Sequence, residues 1–99
     1  MLPDSLLPGM VAIQRLRDAL LAEAALRAFT DTGGPVVVIT GTEHARTDIG
    51  APLKLARAAP EITQLSLGQF EHAQDTAPPH DLWIVTDPHP RPDPCGAFR

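Results

Sequence analysis

The sequence predicts a small α/β unit of three layers, with a mostly parallel sheet of about three strands. Three observations lead there. A long Ala-, Leu-, Glu- and Arg-rich stretch has helical spacing, short runs of β-branched residues are bounded by turn residues, and these elements alternate along the chain. At 99 residues there is room for one domain, which buries only about 60–65% of the surface that its unfolded chain exposes. Residues 1–87 are expected to form that domain and residues 88–99 an irregular tail, because Pro88, Pro90, Pro92 and Pro94 remove backbone donors there.

The first element is a helix over about residues 10–30. "MVAIQRLRDALLAEAALRAF" uses the residues of lowest helical cost, and Ile13, Leu16, Leu20 and Ala24 recur at three- and four-residue steps, which predicts a buried stripe. Arg15, Arg17, Glu23 and Arg27 then fall on a solvated face. Pro8 suits a first turn, and Gly33 and Gly34 supply a left-handed stop. "VVVIT", residues 36–40, reads as a strand covered on both faces. Residues 52–59, "PLKLARAA", read as a second helix opened by Pro52 and stopped by Pro60. "ITQLSLG", residues 62–68, alternates as a strand nearer an edge, and "LWIVT", residues 82–86, is a third strand. Strand, helix, strand implies a right-handed crossover and a parallel pair.

Charge and composition narrow the function. A formal net charge of −4 with scattered basic residues argues against nucleic-acid binding. No apolar run approaches the ~20 residues that cross a bilayer. The opening "MLPDSLLPGM" lacks the basic region and long apolar core of a signal peptide. A single cysteine, Cys95, excludes an internal disulfide and leaves the compartment open.

Functional groups in a parallel sheet collect beyond the carboxyl ends of strands. His44 stands there in "GTEHARTDIG", as do Glu71 and His72, and Asp87 and His89. Imidazole and carboxylate groups on neighbouring loops suit a metal or cofactor, and they equally suit loops that merely face water.

From Gly33 onward, "GGPVVVITGTEHARTDIGAPLKLARAAPEITQLSLGQFE" resembles the C-terminal half of the ChaN-like haem-binding uptake proteins of the Tiki, TraB and erythromycin-esterase superfamily. An apolar strand is followed by Gly-x-x-His (Gly41 to His44), x-Arg (Arg46), Asp48, and a Gly-x-Pro (Gly50 to Pro52) that opens a helix. The helix "IQRLRDALLAEAAL" and the late "RPDPC" are similar to that family's final segments.

The resemblance implies a haem- or metal-associated binding module of the iron-uptake type, with haem or a divalent metal as cofactor. His44 would be the ligand and Arg46 would hold an anionic group such as a haem propionate. Asp48 would orient Arg46 or His44, and Gly41 would let the backbone turn sharply out of the strand. Trp83 or Phe70 would contact a porphyrin face. Relatives of this kind are longer, exported or lipid-anchored, and carry a second Gly-x-x-His in an N-terminal half without counterpart here; the chain also has no tyrosine.

Two other functions stay open: a half-protein with only a structural or oligomerisation role, and a metal-dependent hydrolase of the Tiki or erythromycin-esterase type. Two helices cannot cover both faces and both edges of the expected sheet. A homo-oligomer is therefore expected, or a separate chain that supplies the missing half.

Overall fold

The structure, a computed structural model, describes residues 3–93, 95 and 96. A 310 turn (Asp4–Leu6) runs into helix α1 (Leu7–Thr32), and a second 310 turn (Thr42–Ala45) precedes helix α2 (Ala51–Ala58). Strands β1 (Leu67–Phe70) and β2 (Leu82–Val85) follow. They pair in parallel, Leu67 opposite Leu82 and Phe70 opposite Val85, so the α/β class is as expected. Among the described residues the sheet has two strands.

Both helices stop and start as their sequences require. Pro8 and Pro52 occupy first-turn positions, where a missing N–H costs nothing. Gly33 closes α1 at φ 79°, its N–H donating to the Phe29 carbonyl at 2.8 Å, a conformation that a side chain would strain.

The expected first strand is the main difference. Residues 36–40 form no ladder, and their backbone makes no hydrogen bond to any described residue. Val37 and Ile39 are 82% and 93% exposed. A strand is held by its neighbours rather than by β-branched composition, and this one has no hydrogen-bonded neighbour among the described residues. The parallel pair is instead β1 with β2, joined by residues 71–81 without a helix.

The buried stripe on α1 is a second correction. Ile13, Leu16 and Leu20 are all more than half exposed, and the helix turns its other face inward, burying Asp18 and Ala22. That inner face packs on α2. α1 is apolar on two sides, so spacing alone does not distinguish the side that the rest of the chain covers.

The interior is correspondingly polar. Among the described residues only Ala22 and Ala59 are buried hydrophobic side chains, beside the buried Asp18, Ser66 and His80. Of the proline-rich tail, Pro94 and residues 97–99 lie outside the described residues; Arg91 forms an ion pair with Glu71, and Cys95 is exposed.

Candidate functional site

The loop between residues 41 and 50 is fastened at several points. The His44 N–H donates to the Gly41 carbonyl at 3.0 Å and the Gly50 N–H to the Arg46 carbonyl at 2.9 Å. The Thr47 N–H and hydroxyl both donate to the Pro79 carbonyl, at 2.9 and 3.2 Å. The Ser66 hydroxyl donates to the Ala45 carbonyl, and Arg15 reaches the Ile49 carbonyl from α1.

Gly50 is the glycine that this path requires. It is buried, and a Cβ there would stand 2.5 Å from the His44 carbonyl oxygen and 2.7 Å from that of Arg46. Gly41 does not make the sharp turn expected of it: its φ of −64° is open to any residue, and a Cβ would meet nothing closer than His44 at 3.8 Å.

His44 meets α1 across this loop. Its Nδ1 lies 2.6 Å from Oδ1 of Asp18, a carboxylate that is 1% exposed, and the other oxygen of Asp18 lies 3.6 Å from Nη1 of Arg15. An ionised carboxylate only accepts, so Nδ1 carries the proton and donates it. The ring's Nε2 is left with its lone pair and has no hydrogen-bond partner among the described residues. Asp18 is the residue that sequence reasoning missed. It stands mid-helix, opposite the expected apolar stripe and among residues that read as a solvated face, so no local signal marked it.

His44 forms part of the wall of an apolar groove of about 570 Å3, within the range of about 300–1,000 Å3 that small-molecule sites occupy. Leu21, Leu26 and Phe29 of α1 line it, with Val36, Ile39 and Leu55. Trp83 and Phe70 are not part of this groove; the Phe70 ring packs edge-on against His80, with centroids 5.7 Å apart.

Arg46 belongs to a different depression. It is held by Asp48 through two bonds, Nε to Oδ1 at 2.9 Å and Nη2 to Oδ2 at 2.8 Å, and by Glu43 at 3.0 Å. This forked pairing lowers the Asp48 carboxyl below its usual range, chiefly through the hydrogen bond from Arg46, and raises the guanidinium further. The polar hollow of about 410 Å3 beside it is lined by Glu43, Arg46, Asp75 and His80. The structure therefore brings His44 to Asp18 and Arg46 to Asp48, and it places His44 and Arg46 on separate cavities.

Ser66 and His80, 2.8 Å apart and buried, have the types of a nucleophile and its base. The single hydroxyl proton of Ser66 goes to the Ala45 carbonyl, which can only accept. His80 Nδ1 therefore donates to the serine oxygen, and the pair is poorly arranged to remove its proton. It braces the loop instead, while Gly68 leaves room for the imidazole: a Cβ there would lie 2.7 Å from the ring.

Among the described residues, no group of three or more His, Cys, Asp or Glu side chains could hold a metal ion. His72 and His89 are exposed. Among the described residues no helix is long and apolar enough to cross a membrane.

The family described as haem-binding uptake, Tiki superfamily, ChaN matches residues 1–55, more than half of the chain. The chain belongs to this family. The match spans α1, the extended segment 36–40, the whole His44 loop and the first half of α2. Asp18 and His44 thus both lie inside the part that carries the family relationship. No curated protein and no solved structure matches the chain.

Proposed function

We propose that this ChaN-family chain is a haem-associated binding module in which His44 is the protein's ligand to iron. The observation that carries this reading is the Asp18–His44 pair at the margin of an apolar groove. A buried carboxylate on Nδ1 fixes the tautomer and ring orientation and leaves the Nε2 lone pair for a ligand, the support that ligating histidines usually have. Here Asp18 fills the orienting role that the sequence pattern suggested for Asp48.

Haem also suits a lone histidine better than a bare divalent ion does. A porphyrin brings four nitrogen ligands of its own and needs one or two more from the protein, whereas a structural divalent site needs three or four. The groove's apolar walls would shield the macrocycle. Arg46 and Asp48 serve this site at one remove: their forked pair shapes the backbone from which His44 projects.

The test is a haemin titration of the full chain followed by absorbance, wild type beside His44→Ala. Saturable binding that shifts the Soret band, lost or weakened at least tenfold in the variant, is the expected result. Identical curves would reject His44 as the ligand.

A further inference from the structure

The polar hollow beside Arg46 presents acceptors that the surrounding chain does not use. Its walls come mainly from the loop of residues 41–50 and from residues 74–80, which the two bonds from Thr47 to the Pro79 carbonyl fasten together. Pro78 and Pro79 stiffen the second wall, and the His80 N–H donates to the Pro78 carbonyl at 2.8 Å. A site held in this way gives up little conformational freedom when a ligand enters.

His80 is the group that points to a ligand. The residue is 8% exposed, and its ring is set by Ser66 at Nδ1 and by the Phe70 ring. Because Nδ1 donates to the serine oxygen, the neutral ring carries its lone pair on Nε2. No described residue bonds that nitrogen. Nor is it sealed in: among the described residues, Arg15 Nε is the one completely buried side-chain nitrogen or oxygen without a partner. Nε2 therefore keeps an opening, and the hollow is the cavity that His80 lines.

The rest of the wall is acidic. Oε2 of Glu43 accepts from Arg46, while its Oε1 and the carboxylate of Asp75 have no partner among the described residues. Arg46, the basic residue of the lining, is already held by Asp48 and Glu43. An anion thus meets two carboxylates and a neutralised guanidinium, whereas a cation meets unused acceptors.

The spacing of these acceptors selects the kind of cation. No three His, Cys, Asp or Glu side chains among the described residues stand close enough to hold a metal ion. A fitting cation instead spreads its charge over several N–H donors, as an alkylammonium or guanidinium group does. Phe70, also in the wall, adds an aromatic ring of the sort that attracts such groups.

We propose that the hollow is a second binding site, for a small organic cation whose N–H donors reach Nε2 of His80 and the carboxylates of Glu43 and Asp75. It stands apart from the haem reading, since His44 lines the other cavity.

The experiment is made without haemin, so its result is independent of that reading. Putrescine, a short alkyl diamine, is titrated into the full chain while the ring signals of His80 are followed by NMR. Saturable binding of one diamine per chain is expected, with His80 among the signals that move most. Asp75 is exposed, so Asp75→Asn leaves the fold intact; it is expected to weaken binding about fivefold, the scale of one solvent-exposed charge pair. Glu61→Gln, which removes an exposed acid outside the hollow, is expected to bind as wild type does. His80→Gln removes the ring acceptor and is expected to weaken binding about tenfold or more; should it fail to fold, the Asp75 and Glu61 variants carry the test. Butanediol, the uncharged counterpart of the diamine, is expected to leave the His80 signals in place. Titration without saturation, or equal losses in Asp75→Asn and Glu61→Gln, would overturn the proposal, leaving only the general attraction of an acidic chain for cations. Equal binding of butanediol would overturn it too, because the site would then have no need of charge.

Discussion

Replacing Asp18 by alanine separates its two roles, one in stability and one in positioning His44. The side chain is 1% exposed, accepts from His44 Nδ1 at 2.6 Å and lies 3.6 Å from Arg15. Its removal leaves the imidazole N–H facing a void and takes a carboxylate away from Arg15, which keeps its bond to the Ile49 carbonyl. Breaking a fully buried ion pair costs about 3–5 kcal/mol. His44 and Arg15 keep 23% and 36% of their side-chain surface in solvent, so water recovers part of that, and about 2–3 kcal/mol is the expected loss. For a domain of this size, that lowers the melting temperature by roughly 10–20 °C, as read by circular dichroism. The affinity for haemin is expected to fall about 10- to 100-fold at a temperature where the variant is still folded, the usual effect of removing the residue that orients a ligating histidine. Asp18→Asn, which keeps an oxygen for Nδ1–H, is expected to lose less of both. A folded Asp18→Ala protein with unchanged haemin affinity would refute the positioning argument, even if its stability fell as calculated.

Other predictions rest on separate parts of the structure. Ser66→Ala removes two buried hydrogen bonds and is expected to destabilise the fold by about 1–3 kcal/mol, measured in urea, without altering any ester hydrolysis; loss of a hydrolytic activity would restore the hydrolase reading. Gly50→Ala is expected to destabilise by about 1–3 kcal/mol because its Cβ overlaps two carbonyl oxygens, whereas Gly41→Ala is expected to melt within about 0.5 kcal/mol of wild type. The Asp48 carboxyl is held below its usual range by Arg46. Its contribution to stability is therefore present above the unfolded-state value and lost as pH falls through the lower folded value. Carboxyl NMR is expected to show that midpoint rising in Arg46→Ala, and no change would show that the clamp does not form.

The helices and one strand of this fold were legible in the sequence, because their signals are local. Pro8, Gly33, Pro52 and Pro60 punctuate α1 and α2 through backbone constraints that need no tertiary context, and "LWIVT" pairs nearly where its composition places it. Residues 36–40 carry an equally clear strand composition, but a ladder needs a second strand, and no described residue pairs with their backbone. The outward turn of Ile13, Leu16 and Leu20 has the same origin. A stripe on a helix marks an apolar contact without saying whether the same chain provides it.

The site divides in a similar way. His44 and Arg46 stood out because their order with Asp48 and Gly50 is distinctive within a few residues. Asp18 did not, since its partner is 26 residues away and nothing in the helix around it separates a buried acid from a solvated one. Arg46 was expected beside a ligand, but the nearest carboxylates, Asp48 and Glu43, are in its own loop and engage it first.

The most direct test of the account is whether the imidazole of His44 is what holds the iron. Haemin is added to wild type, to His44→Ala and to His44→Ala supplied with free imidazole, and the Soret band is followed in each. The account predicts a shifted, saturable band in the wild type, its loss in the variant, and its recovery when imidazole occupies the space that the side chain left. Equal haemin binding by wild type and His44→Ala would contradict it.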